Sequence, residues 1–217
     1  MGDAKPTPRI YVLAGPNGAG KSSILGAAVA KEQLRFFNPD EVAKRIRQER
    51  PELTNEQANS DAWREGKRLL EKAVERGLDF AFETTMGGDS ISELLERCLD
   101  DGGEVHIWYV CLASPEQHVQ RVRARAAAGG HDIPEKLIRS RYHASRLNLI
   151  RLLPKLTDLW VYDNSAEADL KRGAAQPEFI LHMADGRLDG VCELAAVPGW
   201  AKPIVQAALG AHASLSA

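Results

Sequence analysis

The apolar run Ile10-Tyr11-Val12-Leu13-Ala14 ends at Gly15-Pro16-Asn17-Gly18-Ala19-Gly20-Lys21-Ser22 and passes at once into a helix-like segment. A buried strand that turns through glycines into a helix opens a βαβ unit, so this feature commits the chain to an α/β fold. The spacing is that of a phosphate-binding P-loop. Its glycines let backbone N–H groups turn inward around an anion, Lys21 reaches the β/γ-phosphates, and Ser22 offers a hydroxyl to Mg²⁺. The positive end of the following helix dipole adds to the same site. A nucleoside triphosphate is therefore the expected ligand.

The rest of the chain repeats the strand and helix alternation. A first helix is expected from about Lys21 to Lys31, and a second strand at Arg35-Phe36-Phe37-Asn38. Asn38 then caps a helix over Asp40 to Arg50, with Pro39 at its start. Thr54 and Gln57 form a capping-box pair for a longer helix that stops at Gly77. Phe80-Ala81-Phe82-Glu83 reads as a third strand, followed by Thr84-Thr85, the Gly87-Gly88 turn and a helix reaching Asp101. Val105 to Leu112 suits a strand buried on both faces. Ser114-Pro115 opens the next helix, and Asp132 and Glu135 cap another that runs toward Leu153. Leu159 to Tyr162 is a further strand, Phe179 to Met183 with Ala184-Asp185-Gly186 a strand and turn, and the Ala-rich stretch after Gly199 a terminal helix. Such alternation implies right-handed crossovers and a mainly parallel sheet with helices on both faces. Ligands in these sheets gather at the carboxyl ends of the strands, which places the P-loop, Asp40 and Glu83 along one edge.

With 217 residues, 44% of them hydrophobic and 27% charged, the chain fits one domain over residues 1–217, with a helical lid at about 114–150. A net charge of −2 gives no support for a nucleic-acid surface. The three cysteines, Cys98, Cys111 and Cys192, lack C-x-x-C spacing, so they read as core thiols in a reducing compartment. No signal peptide or membrane span is visible, and a cytoplasmic protein is expected.

Three constellations go beyond the P-loop. Asp40 is the candidate carboxylate for orienting or deprotonating an acceptor hydroxyl, although Asn38-Pro39-Asp40-Glu41 also makes a good helix start. Glu83 closes an apolar strand and needs a partner if buried; with Thr84 and Thr85 it forms the candidate acceptor contacts. The stretch from Arg121 through Arg125 and Gly129-Gly130 to Arg139 and Arg141 suits a cationic lid. Arg121 and Arg125 share a helix face, whereas Arg139 and Arg141 lie about 200° apart on an ideal helix. His131, beside the double glycine, reads as a hydrogen bonder rather than a metal ligand. Ile138, Tyr142, Ser145, Leu149 and Leu152 form that helix's inner stripe.

Six stretches together resemble the zeta-toxin family of P-loop kinases: Gly15 to Ser23, Phe37-Asn38-Pro39-Asp40, Phe82-Glu83-Thr84-Thr85, Gly129-Gly130-His131-Asp132-Ile133-Pro134, Arg141-Tyr142 and Tyr162-Asp163-Asn164-Ser165. The resemblance runs from about Arg9 to Ser165 and matches a short, stand-alone branch with a Gly-Gly-His lid. It implies an ATP- and Mg²⁺-dependent phosphotransferase of the P-loop NTPase fold. Founding members phosphorylate the 3′-hydroxyl of UDP-N-acetylglucosamine, and some are toxins held by an antitoxin protein. By that analogy Lys21 and Ser22 hold the phosphates and metal, and Asp40 is the general base. Glu83, Thr84 and Thr85 meet the acceptor, and Arg125 and Arg141 lie nearest the phosphates, with Arg121 and Arg139 as alternatives. A small acceptor, a nucleotide sugar among the candidates, is expected rather than nucleic acid or membrane. The competing expectation is an ATP-binding switch or ATPase acting through a partner protein.

Overall fold

The computed structural model describes residues 6–21, 36–130, 132–166 and 176–215. The expected first helix, except for Lys21, lies outside these residues, as do Ser22, Ser23, Arg35 and His131. Seven strands form one sheet: β1 (Arg9–Ala14), β2 (Phe36–Phe37), β3 (Phe80–Thr84), β4 (Glu104–Cys111), β5 (Asp158–Asp163), β6 (Glu178–Ala184) and β7 (Arg187–Val191). Their order is β2-β3-β1-β4-β5-β6-β7. The first five strands run parallel; β6 is antiparallel to β5, and β7 is antiparallel to β6. The chain fills one side of β1 with β3 and β2, then the other with β4 and β5. β1 is thus the switch point, where such sheets open a crevice for ligands, and the P-loop leaves from its end.

The six described helices are α1 (Pro39–Glu49), α2 (Asn55–Arg76), α3 (Asp89–Asp100), α4 (Pro115–Ala127), α5 (Glu135–Leu152) and α6 (Lys202–Leu215). α1 begins where the cap chemistry predicts: Asn38 Oδ1 accepts from the N–H groups of Asp40 and Glu41 at 2.9 and 3.4 Å. α2 carries the full Thr54/Gln57 capping box and stops at Gly77 in the left-handed conformation. Two expectations change. Asp132 does not cap α5, because Pro134 occupies the position before Glu135 and has no side-chain acceptor; Asp132 Oδ1 instead accepts from the N–H of Ile133 at 2.9 Å. β4 is buried on both faces only over Tyr109 to Cys111; before that Val105 and Ile107 are buried while His106 and Trp108 face the partly open side of the sheet. β7 was not anticipated. It pairs with β6 through Asp185 and Gly186, both at positive φ, as a two-residue hairpin turn requires.

The main core lies on one face of the sheet. Ile10, Val12, Phe82, Ile107 and Val161 meet Leu70 and Val74 of α2, Leu94 and Leu95 of α3, Leu149 and Leu152 of α5, and Ile204 of α6. The inner stripe of α5 is buried as its spacing predicts. The opposite face carries a smaller cluster of Leu13, Ala19 and Val110. No helix among the described residues is long and apolar enough to cross a membrane.

Candidate active site

The loop after β1 turns sharply because Gly15 takes φ 142°, and a Cβ there would lie 2.0 Å from the Val110 carbonyl oxygen. Only glycine fits so close to β4 at this φ. The Gly15 N–H donates to the Thr84 carbonyl at 3.2 Å, which ties the loop to the end of β3. Lys21, 7% exposed, curls back into the loop and donates to the carbonyls of Gly15 and Pro16 at 2.8 and 3.3 Å. Its Nζ also lies 3.4 Å from Glu83 Oε1, and Asn38 Nδ2 donates to the other oxygen of Glu83 at 3.3 Å. Glu83 therefore has the partners that a half-buried carboxylate needs. A concave ring of backbone closed by an ammonium group fits a polyphosphate.

A cavity of about 700 Å³ opens from this loop. Asn17, Gly18, Lys21, Asp40, Glu83, Thr84, Thr85, Arg125 and Arg141 line it, so most of the residues singled out in the sequence converge there. Gly15, Pro16, Ala19 and Gly20 shape the loop behind that lining. Thr84 and Thr85 do not cap α3; their hydroxyls accept from the N–H groups of Met86 and Gly87 and hold the turn after β3. The Asp40 carboxylate is 63% exposed and has Arg125 Nη1 at 3.8 Å. The double glycine after α4 ends that helix, with Gly130 N–H reaching back to the Arg125 carbonyl at 2.9 Å.

Packing sends the lid arginines in different directions. Arg139 points away, to Glu116 and Glu135. Arg121 donates to the carbonyls of Asn164 and Ala166. Arg141 faces the cavity, where Nη1 donates to Asn17 Oδ1 at 2.9 Å. Burial lowers its pKa and the nearby Asp40 charge opposes that shift. The backbone approaches it closely at Gly87, where a Cβ would fall 2.4 Å from Arg141 Cγ.

Sequence reasoning missed several supports of this site. Asn148, buried on α5, donates to the carbonyls of Met86 and Gly88 at 2.9 and 3.3 Å and so fixes the turn after β3. Asn164 Nδ2 donates to the Ala19 carbonyl at 2.8 Å, a role its place in the Tyr-Asp-Asn-Ser stretch left unassigned. One face of α2 also lines the cavity through Glu56, Asn59, Ser60, Trp63 and Lys67. Their three- and four-residue spacing was a readable signal, a polar stripe on a helix that is apolar on its other side.

His118 on α4 is fully buried beneath the loop. Its Nε2 accepts from the Leu112 N–H at 3.2 Å, so the proton sits on Nδ1, which donates to the Asn17 carbonyl at 2.7 Å. Burial pushes its pKa from 6.5 down to about 4; the Asn17 bond opposes the shift, and the charges of Lys21, Arg121 and Arg146 add to it. The unfolded imidazole takes up a proton as pH falls through its ordinary value, while the folded one resists until about 4. Stability is therefore lost across that window and unaffected by this group above it, with a full loss of roughly 3 kcal/mol. Urea midpoints measured between pH 7 and pH 4 should fall more steeply for the native protein than for His118→Asn; equal slopes would remove His118 from the acid response.

Comparison with known proteins agrees with this architecture. The family model described as Zeta toxin matches residues 2–171. An uncharacterized protein of Haemophilus influenzae (strain ATCC 51907 / DSM 11121 / KW20 / Rd) is 30% identical over 128 residues, which cover 59% of this chain and 88% of that protein. A chain in the crystal structure of AvrRxo1-ORF1:-ORF2 with ATP superposes with a TM-score of 0.62 at 14% identity, covering 94% of this chain. This chain spans 64% of that chain's length. A chain of the PezAT chromosomal toxin-antitoxin system of Streptococcus pneumoniae gives a TM-score of 0.51 at 15% identity, covering 80% of this chain and 72% of that one. At these identities the two solved structures speak to the fold. The family match takes in the P-loop, the Asp40 turn and the helix that carries Arg141, and on that ground the chain belongs to the zeta toxin family of P-loop kinases.

Proposed function

We propose that the protein transfers the γ-phosphoryl group of ATP to a hydroxyl of a small acceptor, with UDP-N-acetylglucosamine the first compound to try. One observation carries this reading: a single cavity joins the phosphate-binding Lys21 to an accessible carboxylate, Asp40, and to a wall of hydrogen-bonding side chains on β3 and α2. Lys21, Arg125 and Arg141 face the polyphosphate and offset charge on the transferring group. The acceptor hydroxyl lies beside Asp40, which takes its proton as the new O–P bond forms and the bond to the β-phosphate oxygen breaks, leaving ADP. Glu83, Thr84 and Thr85 orient the acceptor, with Glu56, Ser60 and Trp63 on the far wall.

Mg²⁺ would be held chiefly by the phosphates, with Ser22 as its protein ligand, and would supply positive charge at the β/γ oxygens. Among the described residues no group of three or more His, Cys, Asp or Glu is arranged to hold a metal ion. A metal that keeps its waters and phosphate ligands needs none, so the residues fit it. We place the reaction in the cytoplasm, in keeping with cysteines that lack C-x-x-C spacing and with the burial of Cys98 and Cys111. An antitoxin-like protein partner is part of the same reading. It is supported by the solved neighbours, one taken from a toxin-antitoxin system and one from a two-protein complex.

The test is mass spectrometry of Mg·ATP reactions containing UDP-N-acetylglucosamine or a metabolite extract. The expected result is an acceptor heavier by one phosphoryl group, formed by the native protein and absent with Asp40→Asn. ADP release at equal rates from both, with no phosphorylated product, supports the ATP-binding switch instead.

A further inference from the structure

Arg141, which lines the cavity, is held by a neutral side chain rather than a carboxylate. Among the described residues its one hydrogen bond goes to the side-chain oxygen of Asn17, at the tip of the P-loop. A guanidinium carries five N–H donors in a fixed fork, so a single neutral acceptor fixes its direction and leaves the other donors for an anion. An acidic partner would have competed with phosphate for the same charge.

Asn17 is held in turn. Its main-chain carbonyl accepts from His118 Nδ1 at 2.7 Å, and the opposite ring nitrogen is pinned by the Leu112 N–H just beyond the end of β4. That second bond leaves the imidazole one tautomer, the one that donates to the loop. The ring has little freedom to swing, because Tyr142 packs against it edge-on at 5.4 Å and donates its hydroxyl to the Ala113 carbonyl at 3.1 Å. α4 also presses on the loop one residue further, since a Cβ on Gly18 would lie 2.9 Å from the His118 carbonyl oxygen. Sheet end, α4, P-loop and α5 thus meet at one buried ring that the phosphoryl-transfer chemistry does not use.

We propose that His118 and Asn17 are positioning residues for Arg141: His118 fixes the Asn17 main chain, and the Asn17 side chain aims the guanidinium into the nucleotide site. The proposal rests on reading the cavity as that site, and it does not depend on which acceptor is used or on turnover.

The experiment measures ATP affinity by calorimetry with Mg²⁺ and no acceptor, on the full chain, for Asn17→Ala, Arg141→Ala and the double variant. Asn17→Ala keeps the carbonyl that His118 holds, so its thermal midpoint should match the native protein while ATP binds about tenfold more weakly. In the Arg141→Ala background the same change should cost less than about twofold, because its target is gone. Effects that multiply in the double variant overturn the relay, as does unchanged affinity in Asn17→Ala. For His118, an asparagine amide nitrogen reproduces Nδ1 and a glutamine reproduces the Nε2 end. His118→Asn should hold ATP affinity within about threefold, and His118→Gln should lose about tenfold. Equal losses in both overturn the donor role, and if neither folds, the Asn17 and Arg141 cycle decides. Absence of any phosphorylated product would sink the kinase reading yet leave this cycle intact.

Discussion

Asp40→Asn should lower turnover by about two to four orders of magnitude, the usual worth of a positioned general base, while ATP affinity stays within a few-fold. The substitution keeps size and shape and removes the proton acceptor. It leaves the helix start intact, because the acceptor that caps α1 is the Asn38 side chain, which receives the residue 40 N–H at 2.9 Å. The competing view, that Asp40 serves only the first turn of α1, predicts a different outcome: a stability loss of about 0.3–1 kcal/mol with turnover nearly unchanged. Steady-state kinetics alongside a thermal melt separate the two. Near-normal kcat in a slightly less stable protein would remove Asp40 from the chemistry. Its 63% exposure and the nearby Arg125 favour the catalytic outcome, since the carboxylate has room to meet a substrate.

Lys21→Ala should fail in a second way, losing binding and turnover together. The ammonium group is 7% exposed and spans two loop carbonyls and Glu83, so its removal takes away the cation that the proposed reaction sets against the phosphates. It also leaves Glu83 with the Asn38 amide as its partner, a negative charge facing an incoming polyanion. Losing a preorganised charge of this kind costs about two to three orders of magnitude in kcat, and the uncovered carboxylate should weaken ATP by a further large factor. Calorimetry for ATP and kcat for the transfer read the two effects separately. If Lys21→Ala retained native ATP affinity, the loop would not be the phosphate site. The pairing of these variants matters: a base changes rate alone, whereas a phosphate clamp changes both.

How much of the site could be read from the chain depends on whether each residue acts within its own segment. Asn38, Thr54, Gln57 and Gly77 do, since a cap bonds residues two to four positions away, and each stands where its chemistry predicted. The inner stripe of α5 was legible for the same reason, because a periodicity within one helix names its buried face. The Asp132 cap failed on a local detail, the proline two residues on, which takes the cap position. The Asp185-Gly186 turn was visible, but β7 was not: Arg187, Asp189 and Gly190 make a poor strand on their own, and β7 forms because β6 offers it an edge.

The sequence by itself determined the α/β class and pointed to the loop after β1 and to two carboxylates near strand ends, because these depend on spacing, backbone freedom and the rule that ligands gather at strand ends. Tertiary structure alone decided which arginine enters the site and what holds it. Arg141 and Arg139 sit two residues apart on one helix, and the packing of α5 against Gly87 and the loop at Asn17 sends only the first inward. The same is true of His118, Asn148 and Asn164. Each is an ordinary polar residue within its own segment, and each acquires its role because burial forces its polar atoms to find partners 60 to 145 positions away.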